Sequence, residues 1–316
     1  MPNPALSNMT NPSPLSDWMK QSQIHVEIAL AEFLPPPQQK PTELHEAMHY
    51  AVLDGGKRVR PLLVYAAGQL FNADYAELTR AACAIEMIHA YSLVHDDMPC
   101  MDDDALRRGK PTVHVKYGEA TALLVGDALQ AQAFMVLSNG KNPAARQLKM
   151  MQILAHASGS MGMCGGQAID LASVGLQLSR EELERMHQLK TGSLLRASVL
   201  LGALCGQKYN GQELNELELA ALNRYSHAVG LAFQVVDDIL DATANSAELG
   251  KTAGKDAANN KPTYVSILGL GASQSLAENL RVQAHTALAT FSNSTHPTSH
   301  TQRLAQLADF IVQRTA

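Results

Sequence analysis

Two clusters of aspartates could do chemistry, because each directly follows a mostly apolar segment. The first cluster follows residues 84–94 and places five carboxylates within residues 96–104. The second cluster consists of Asp237, Asp238 and Asp241. Asp237 and Asp241 are four residues apart, so on a helix they share a face and destabilise it by about 0.2–0.5 kcal/mol. A bound cation would relieve this repulsion.

The ligand type indicates which cation would bind. Carboxylates without His or Cys suit hard Mg²⁺, which takes one or two of them and completes its shell with water and substrate phosphates. We predict several Mg²⁺ ions, with Mn²⁺ as an alternative; either cluster alone could instead be a solvated acidic face. Asp96 and Asp102 are six apart and would not align on a regular helix, so Pro99 predicts a distortion there. The third ligand stays open among Asp102, Asp103 and Asp104.

Several basic segments could bind phosphate groups. The sequence GGKRVRP at 55–61 brings three cations to a predicted helix start, where the helix dipole favours an anion. The other candidates are Arg107, Arg108, Lys110, Lys190, Lys251, Lys255 and Lys261. No GxxxxGK[ST] nucleotide loop is formed around Lys57 or Lys110. Each basic segment alone could be a surface turn, but together with two acidic clusters they indicate a reaction between two diphosphates.

Helices are the elements that must position these residues. The chain has 316 residues, 46% hydrophobic and 17% charged with few aromatics, which favours helices over strands. The spacing predicts helices from an Asp17 cap to the prolines at 35–37, from Pro61 onward, and over 42–53, 76–97, 118–137, 144–163, 180–202, 215–240, 262–288 and 302–314. No break separates two motif sets, so we predict one all-α domain over 17–316 after a flexible tail, residues 1–16.

Charge and cysteine content bound the partners and the compartment. The formal charge of -5 gives no general basic field for nucleic acid. No apolar run approaches the roughly 18 residues that span a bilayer, so we expect no stable membrane insertion. The cysteines lack metal-ligand spacing, which predicts reduced, buried thiols in a cytoplasmic protein; they are Cys83, Cys100, Cys164 and Cys205.

Seven sequence strings, in order along the chain, resemble the trans-prenyl diphosphate synthases, and most nearly their bacterial farnesyl-producing members. They are GGKRVRP at 55–61, IHAYSLVHDDMPCMDDDALRRGKPTVH at 88–114, GDALQ at 126–130, GGQAIDL at 165–171, KTG at 190–192, FQVVDDILD at 233–241 and the GK…GKD…K run at 250–261. The resemblance implies an all-α fold of the isoprenoid synthase type, with helices around a deep central cavity, and a homodimer.

The resemblance also implies a role for each motif residue. Metal ligands would be Asp96, Asp97, Asp102, Asp237, Asp238 and Asp241. The isopentenyl diphosphate site would contain Lys57, Arg60, His89 and Arg108. The allylic diphosphate site would contain Arg107, Lys190, Lys251, Lys261, Gln167 and Asp170. Residues acting directly in catalysis would be Lys190, Thr191, Gln234 and Arg107.

Product length would depend on Tyr91 and Ser92, about one turn before Asp96 along the expected cavity wall. In the family, an aromatic residue near this place, with a four-residue gap inside the first motif, resembles the farnesyl type. The predicted reaction joins isopentenyl diphosphate to dimethylallyl and then geranyl diphosphate, with diphosphate released each time. The alternatives are a geranylgeranyl or geranyl diphosphate synthase, a class I terpene cyclase, or an inactive helical partner subunit.

Overall fold

Helices make up most of the computed structural model, which describes residues 14–53, 55–206, 214–243, 262–291 and 300–314. The helices in these ranges are α1 (Leu15–Phe33), α2 (Thr42–Val52), α3 (Val59–Leu70), α4 (Tyr75–Asp96), α5 (Val113–Tyr117), α6 (Glu119–Ser138), α7 (Ala144–Ser158), α8 (Met163–Ala172), α9 (Arg180–His187), α10 (Ser193–Leu204), α11 (Glu216–Thr243), α12 (Tyr264–Leu268), α13 (Leu270–Leu288) and α14 (Gln302–Gln313). The predicted all-α class is confirmed.

The first helix begins three residues earlier than predicted. Its N-cap is Pro14, and Asp17 lies within the first turn rather than at the cap. A carboxylate inside the first turn still favours the helix through the dipole, so the residue type was informative while its position was wrong. The predicted tail therefore ends before Leu15, and its residues 1–13 lie outside the described ranges.

Three predicted helices are each divided in two, and glycine marks two of the breaks. The range predicted at 144–163 ends at Ser158, and Gly162 lies against the Ala157 carbonyl with no space for a Cβ. A new helix, α8, then begins. The range predicted at 262–288 breaks at Gly269, whose φ of 82° favours glycine. The range at 180–202 is interrupted by a π-helical turn, Gln188–Gly192.

A two-residue hairpin follows the first aspartate cluster and was missed by the sequence analysis. Strand β1 (Leu106–Arg107) pairs antiparallel with β2 (Lys110–Pro111). The turn residues Arg108 and Gly109 have φ values of 52° and 75°, the sign that tight two-residue hairpins require at both positions. The hairpin therefore fixes the positions of the consecutive residues Arg107 and Arg108.

Helix α4 lies at the centre of the fold and carries the first aspartate cluster at its C-terminal end. It packs against α3, α6 and α10, and residues 81–88 are all buried. Helix α11 carries the second cluster and packs against α10, α13 and α14. Both clusters are thus fixed to long helices with extensive packing, which holds their positions relative to each other.

The surface differs from expectation at two cysteines. Cys83 and Cys205 are buried as predicted, but Cys100 and Cys164 are exposed. The prediction of four buried thiols is therefore wrong for these two. Cys100 lies in the loop after α4, and Cys164 lies in the first turn of α8, one residue past the helix predicted at 144–163.

Among the described helices, α6 is the one long and apolar enough to cross a membrane by length and composition. Only 39% of its most apolar window is buried within the fold. A single helix of this kind is weak support for a membrane span, because the core helices of soluble proteins pass the same test. Its exposed face includes Leu123, Leu124 and Met135.

Candidate active site

A cavity of about 460 Å³ lies between α4, α8, the π-helical turn and α11. Its lining residues include most of the predicted site residues and some that were not predicted. They are Arg60, His89, Tyr91, Ser92, Leu93, His95, Asp96, Met101, Met163, Cys164, Gln167, Ala168, Leu171, Lys190, Thr191, Phe233, Gln234 and Asp237. The two aspartate clusters therefore contribute to the same cavity.

The loop after α4 folds back on the helix end, as the position of Pro99 predicted. The Asp102 amide donates to the Asp96 carbonyl at 2.8 Å, and the Asp104 amide donates to the Asp97 carbonyl at 3.1 Å. Asp103 is exposed and has a φ of 50°. Of the three open candidates, Asp102 lies near the Asp96 carboxylate and Asp104 near that of Asp97. The geometry favours Asp102 as the partner of Asp96.

Burial raises the pKa of Asp96 to about 6. The ammonium of Lys190 opposes this rise, while the negative charge of Asp102 adds to it. Two carboxylates this close gain from a cation between them, because each then favours its ionised form. A cation bound near Asp96 and Asp102 would offset the burial of Asp96 and the repulsion from Asp102.

The second aspartate of the first motif has a different partner. Arg107 donates through Nε to both Asp97 oxygens, at 3.0 and 2.7 Å, and through Nη2 at 2.6 Å. The Asp97 side chain is 4% exposed and does not line the cavity. Asp97 was predicted as a metal ligand, but in this structure it orients Arg107 on the hairpin instead.

The second motif divides in the same way. Asp237 lines the cavity, whereas Asp238 is buried and accepts from the Gln234 side-chain amide at 2.9 Å and from the Tyr264 backbone amide at 2.8 Å. Asp238 therefore joins α11 to α12 and orients Gln234. Asp241 is 6% exposed and does not line the cavity. Of this predicted ligand set, the structure brings Asp237 alone to the cavity wall.

Arg314 also reaches this site, although nothing in the sequence distinguished it. Its Nη2 donates to Asp237 at 2.5 Å and to the Phe233 carbonyl at 2.8 Å, and the guanidinium stacks 4.0 Å from the Phe233 ring centroid. The side chain is 5% exposed. A residue near the chain end thus provides the positive partner of Asp237 when no other cation is present.

The π-helical turn carries two of the predicted catalytic residues. Lys190 Nζ lies 2.5 Å from Asp170, and the Thr191 hydroxyl donates to the Gln234 carbonyl oxygen at 3.2 Å. Gly166 of α8 lies against the Lys190 backbone with no space for a Cβ, so α8 packs directly on the turn. Such turns are frequent at functional sites. This one directs Lys190 and Thr191 into the cavity together.

The four residues predicted to bind isopentenyl diphosphate meet in a second pocket of about 520 Å³. They are Lys57, Arg60, His89 and Arg108. This pocket shares Arg60, His89 and Phe233 with the first cavity. Burial lowers the pKa of His89 well below its ordinary value, and the nearby guanidinium of Arg60 lowers it further. A neutral His89 among cations can donate to an anion without adding charge.

Glycine is required at the entrance of this second pocket. The Arg108 guanidinium lies 2.6 Å from the place where a Cβ on Gly56 would stand, and Gly56 has a φ of 91°. The neighbouring Arg58 does not face the pocket as a free cation, because its guanidinium donates to Glu86 and Glu27, both at 2.7 Å. Of the three cations in GGKRVRP, Lys57 and Arg60 line the pocket as residues predicted to bind the anion, whereas Arg58 is held by the two glutamates.

The remaining predicted residues have different outcomes. Gln167 and Ser92 line the cavity, while Asp170 is paired with Lys190. Lys251 and Lys261 lie outside the described ranges. Met163, Cys164 and Phe233 also line the cavity, but sequence reasoning treated the first as core filler and the second as a buried thiol. The position of Met163 and Cys164 on the cavity side of α8 depends on where that helix begins, whereas Phe233 lies on α11.

The donor chemistry of the site fits Mg²⁺. Asp96, Asp102 and Asp237 offer hard carboxylate oxygens, and burial together with the negative charge of Asp102 raises the pKa of Asp96. Within the described ranges, no three potential ligands converge into a complete metal shell.

An all-helical fold around a cavity that joins facing aspartates to an anion pocket defines an enzyme of diphosphate chemistry. Comparison with known proteins then gives the family. The chain belongs to the polyprenyl synthetase family, whose model matches residues 41–294. The predicted family and the predicted enzyme class, a prenyltransferase, are confirmed.

Relatives match over most of the chain. The probable farnesyl diphosphate synthase of Sinorhizobium fredii is 50% identical over 272 residues, 86% of this chain and 81% of that protein. The farnesyl diphosphate synthase of Escherichia coli K12 is 46% identical over 289 residues, 90% of this chain and 94% of that protein. The crystal structure of an FPP/GFPP synthase from Zymomonas mobilis superposes with a TM-score of 0.81 at 41% identity, covering 94% and 98% of the two chains.

Proposed function

We propose that the protein condenses isopentenyl diphosphate with dimethylallyl diphosphate and then with geranyl diphosphate to give (E,E)-farnesyl diphosphate. Each condensation forms one carbon–carbon bond, breaks the allylic C–O bond, and releases diphosphate and a proton. The observation that supports this most is the shared wall. Arg60, His89 and Phe233 separate an anion pocket from a cavity that carries Asp96 and Asp237.

Asp96, Asp102 and Asp237 would hold the metal, which we propose to be several Mg²⁺ ions with Mn²⁺ as a substitute. When bound, the metal neutralises the diphosphate leaving group so that the allylic C–O bond ionises. The protein supplies further cations to the same group. Lys190 lines the cavity, and Arg107 is aimed by its bidentate contact with Asp97. Lys251, Lys261, Gln167 and Asp170 complete the proposed allylic site.

The developing carbocation requires oriented dipoles and little water. The Thr191 hydroxyl and the Gln234 carbonyl oxygen are held together by a 3.2 Å hydrogen bond, and Asp238 fixes the Gln234 amide. Because the amide donates to Asp238, the carbonyl oxygen is the end of Gln234 that remains towards Thr191. Both oxygens therefore present their negative ends at the cavity without any reorganisation during the reaction.

The other substrate is held by Lys57, Arg60, His89 and Arg108 in the neighbouring pocket. Isopentenyl diphosphate anchored there by its diphosphate can extend its double bond past the shared wall to the allylic carbon. This arrangement also argues against a class I terpene cyclase, which needs no second diphosphate site. The departing diphosphate is the acceptor proposed for the proton.

The assay that tests this function uses purified protein, Mg²⁺, isopentenyl diphosphate and either dimethylallyl or geranyl diphosphate, with products sized by mass spectrometry. We expect farnesyl diphosphate from both primers. A geranylgeranyl or geranyl product would contradict only the product length. Cyclic hydrocarbon from a single prenyl diphosphate would support the cyclase, and no prenyl product with either primer would support an inactive partner subunit.

Replacing Tyr91 by Ala is expected to lengthen the product. The Tyr91 ring is 4% exposed and lines the cavity five residues, about 7.5 Å, before Asp96. Removing it opens space for a further five-carbon unit, so geranylgeranyl diphosphate should become a major product. Chromatography of dephosphorylated products from excess isopentenyl diphosphate measures this. A Tyr91→Ala enzyme that still stops at fifteen carbons refutes the role.

A homodimer is part of the proposed function. Val115, Leu123, Leu124 and Met135 expose 48–58% of their surface on α5 and α6, and apolar surface of this kind marks interaction sites. Light scattering should give twice the chain mass of 34.0 kDa, while Leu124→Glu should give the mass of one chain. A dimer that survives Leu124→Glu would place the interface elsewhere.

We also propose a cytoplasmic location. The support is chemical: all four cysteines are free thiols, and the two exposed ones have no disulfide partner in the described structure. Reduced exposed thiols are typical of the cytoplasm. Small diphosphate substrates are the only partners proposed besides a second copy of the chain.

A further inference from the structure

Tyr91 of α4 meets Cys164 of α8 across the cavity. The Tyr91 phenol oxygen and the Cys164 sulfur lie 3.5 Å apart, and both residues line the cavity. Cys164 is exposed even though the surrounding helix packs on the fold. Its thiol therefore faces the open space of the cavity, and the contact with Tyr91 forms a bridge between two walls.

The bridge lies below the charged groups on both walls. On α4, Tyr91 precedes Asp96 by five residues, or about 7.5 Å. On α8, Cys164 precedes Asp170 by six residues, or about 9 Å, and Asp170 is paired with Lys190. Each helix thus runs from the bridge to its charged end. A hydrocarbon chain whose diphosphate is held at the charged end extends towards the bridge.

Three residues contact the Tyr91 side chain, and the Cys164 thiol is the contact on the side of the growing hydrocarbon chain. Gln130 of α6 hydrogen-bonds the phenol, and His95 contacts the ring edge-on with centroids 5.8 Å apart. His95 is itself held by the Leu123 carbonyl at 3.1 Å. These contacts fix the ring from its own wall. Only Cys164 contacts it from the opposite wall, among the contacts described for Tyr91.

We propose that Cys164 is a second specificity-determining residue for product length, because its thiol closes the cavity against Tyr91. This inference rests on the proposed chain-elongating function and adds a residue to it. Tyr91 alone covers one wall, and the sulfur fills the gap that a longer chain would otherwise pass. The length limit is then a property of the pair rather than of the aromatic ring.

Three variants test the pair, each assayed with Mg²⁺, excess isopentenyl diphosphate and, in separate reactions, dimethylallyl or geranyl diphosphate. Cys164→Ala opens the gap and should raise the fraction of twenty-carbon product at least about fivefold. Cys164→Leu fills more of the cavity and should shift product towards geranyl diphosphate from a dimethylallyl primer. Tyr91→Phe keeps the ring but removes the hydroxyl, and should lengthen product as Cys164→Ala does. The double variant Cys164→Ala/Tyr91→Phe should exceed neither single variant by much, because both break one contact.

A chemical probe avoids any doubt about folding of the variants. In a Cys100→Ser background, Cys83 and Cys205 are buried and Cys164 is the exposed thiol. Methyl methanethiosulfonate converts this thiol to a methyl disulfide and releases methanesulfinate. The added group should shorten the product, geranyl diphosphate should slow the modification, and dithiothreitol should restore the original length. The Cys100→Ser enzyme without reagent is the matched control.

Two results would overturn the inference. One is a Cys164→Ala enzyme with the product distribution of the wild type, and the other is a methylthiolated enzyme that still makes fifteen-carbon product. Failure of the proposed function appears differently, because the wild-type enzyme itself would then give no prenyl product. A wild type that elongates normally and a Cys164 series without effect would contradict this inference alone.

Discussion

Turnover should fall about 10³-fold when Asp237 is replaced by Asn. Asp237 is the one carboxylate of the second motif that lines the cavity, opposite Asp96. Losing a carboxylate that holds a catalytic cation removes several kcal/mol of transition-state stabilisation. About 4 kcal/mol corresponds to about 10³ in rate. Steady-state kinetics with geranyl and isopentenyl diphosphate, at saturating Mg²⁺, measures the change in kcat.

The same substitution should leave the fold intact. The Asp237 side chain is 39% exposed, and an amide at this position keeps an oxygen that can accept from the Arg314 guanidinium. Urea unfolding should therefore resemble that of the wild type. Mn²⁺ binding followed by electron paramagnetic resonance gives a readout besides activity and should weaken. An Asp237→Asn enzyme within tenfold of wild-type kcat would remove Asp237 from the metal site.

Asp238→Asn is the matched comparison, since it changes the adjacent carboxylate by the same atoms. Asp238 is 3% exposed and accepts from the Tyr264 amide and the Gln234 side chain. Its replacement should lower stability, because one of the two buried oxygens becomes an NH2 group that cannot accept from its donor. The two variants thus distinguish Asp237, which faces the cavity, from Asp238, which positions Gln234.

The sequence could not predict which aspartate of each adjacent pair faces the cavity. Successive residues on a helix point about 100° apart, so Asp96 and Asp97, or Asp237 and Asp238, must face different partners. Which of the two faces the cavity depends on the rotation of α4 and α11 in the packed fold. The partners that decide it, Arg107 and Tyr264, are ten and 26 residues away in the chain.

Other features of the site were predictable because they depend on local spacing. Apolar periodicity located α4 and α11 to within about three residues. Because each aspartate cluster directly follows an apolar run, the sequence also indicated that the two clusters contribute to one cavity. The π-helical turn was not predictable. Apolar residues at helical spacing lie on both sides of Lys190 and Thr191, so the pattern predicts one uninterrupted helix. Arg314 was missed for the opposite reason, because its contact with Asp237 joins residues 77 apart.

The structural arginine of GGKRVRP leads to the second large effect, which concerns stability. Arg58 has a φ of 51° and its side chain is 3% exposed. Its guanidinium donates to Glu86 at 2.7 Å, to Glu27 at 2.7 Å and to the Val52 carbonyl at 2.6 Å. This network ties α1, the end of α2 and α4 to the start of α3. Lys57 and Arg60, on either side of Arg58 in the chain, line the pocket that we propose for isopentenyl diphosphate.

Glu86→Ala is expected to destabilise the protein by about 3 kcal/mol. Its side chain is 4% exposed, so the substitution leaves a buried guanidinium with one charged partner in place of two. Glu27→Ala is the control, because Glu27 is 33% exposed and its loss should cost about 1 kcal/mol or less. Urea unfolding followed by circular dichroism measures both.

Since the network positions Lys57 and Arg60, Glu86→Ala should also raise KM for isopentenyl diphosphate more than KM for geranyl diphosphate. Equal destabilisation by the two substitutions would mean that burial does not govern this network, and an unchanged ratio of the two KM values would separate Arg58 from the substrate pocket.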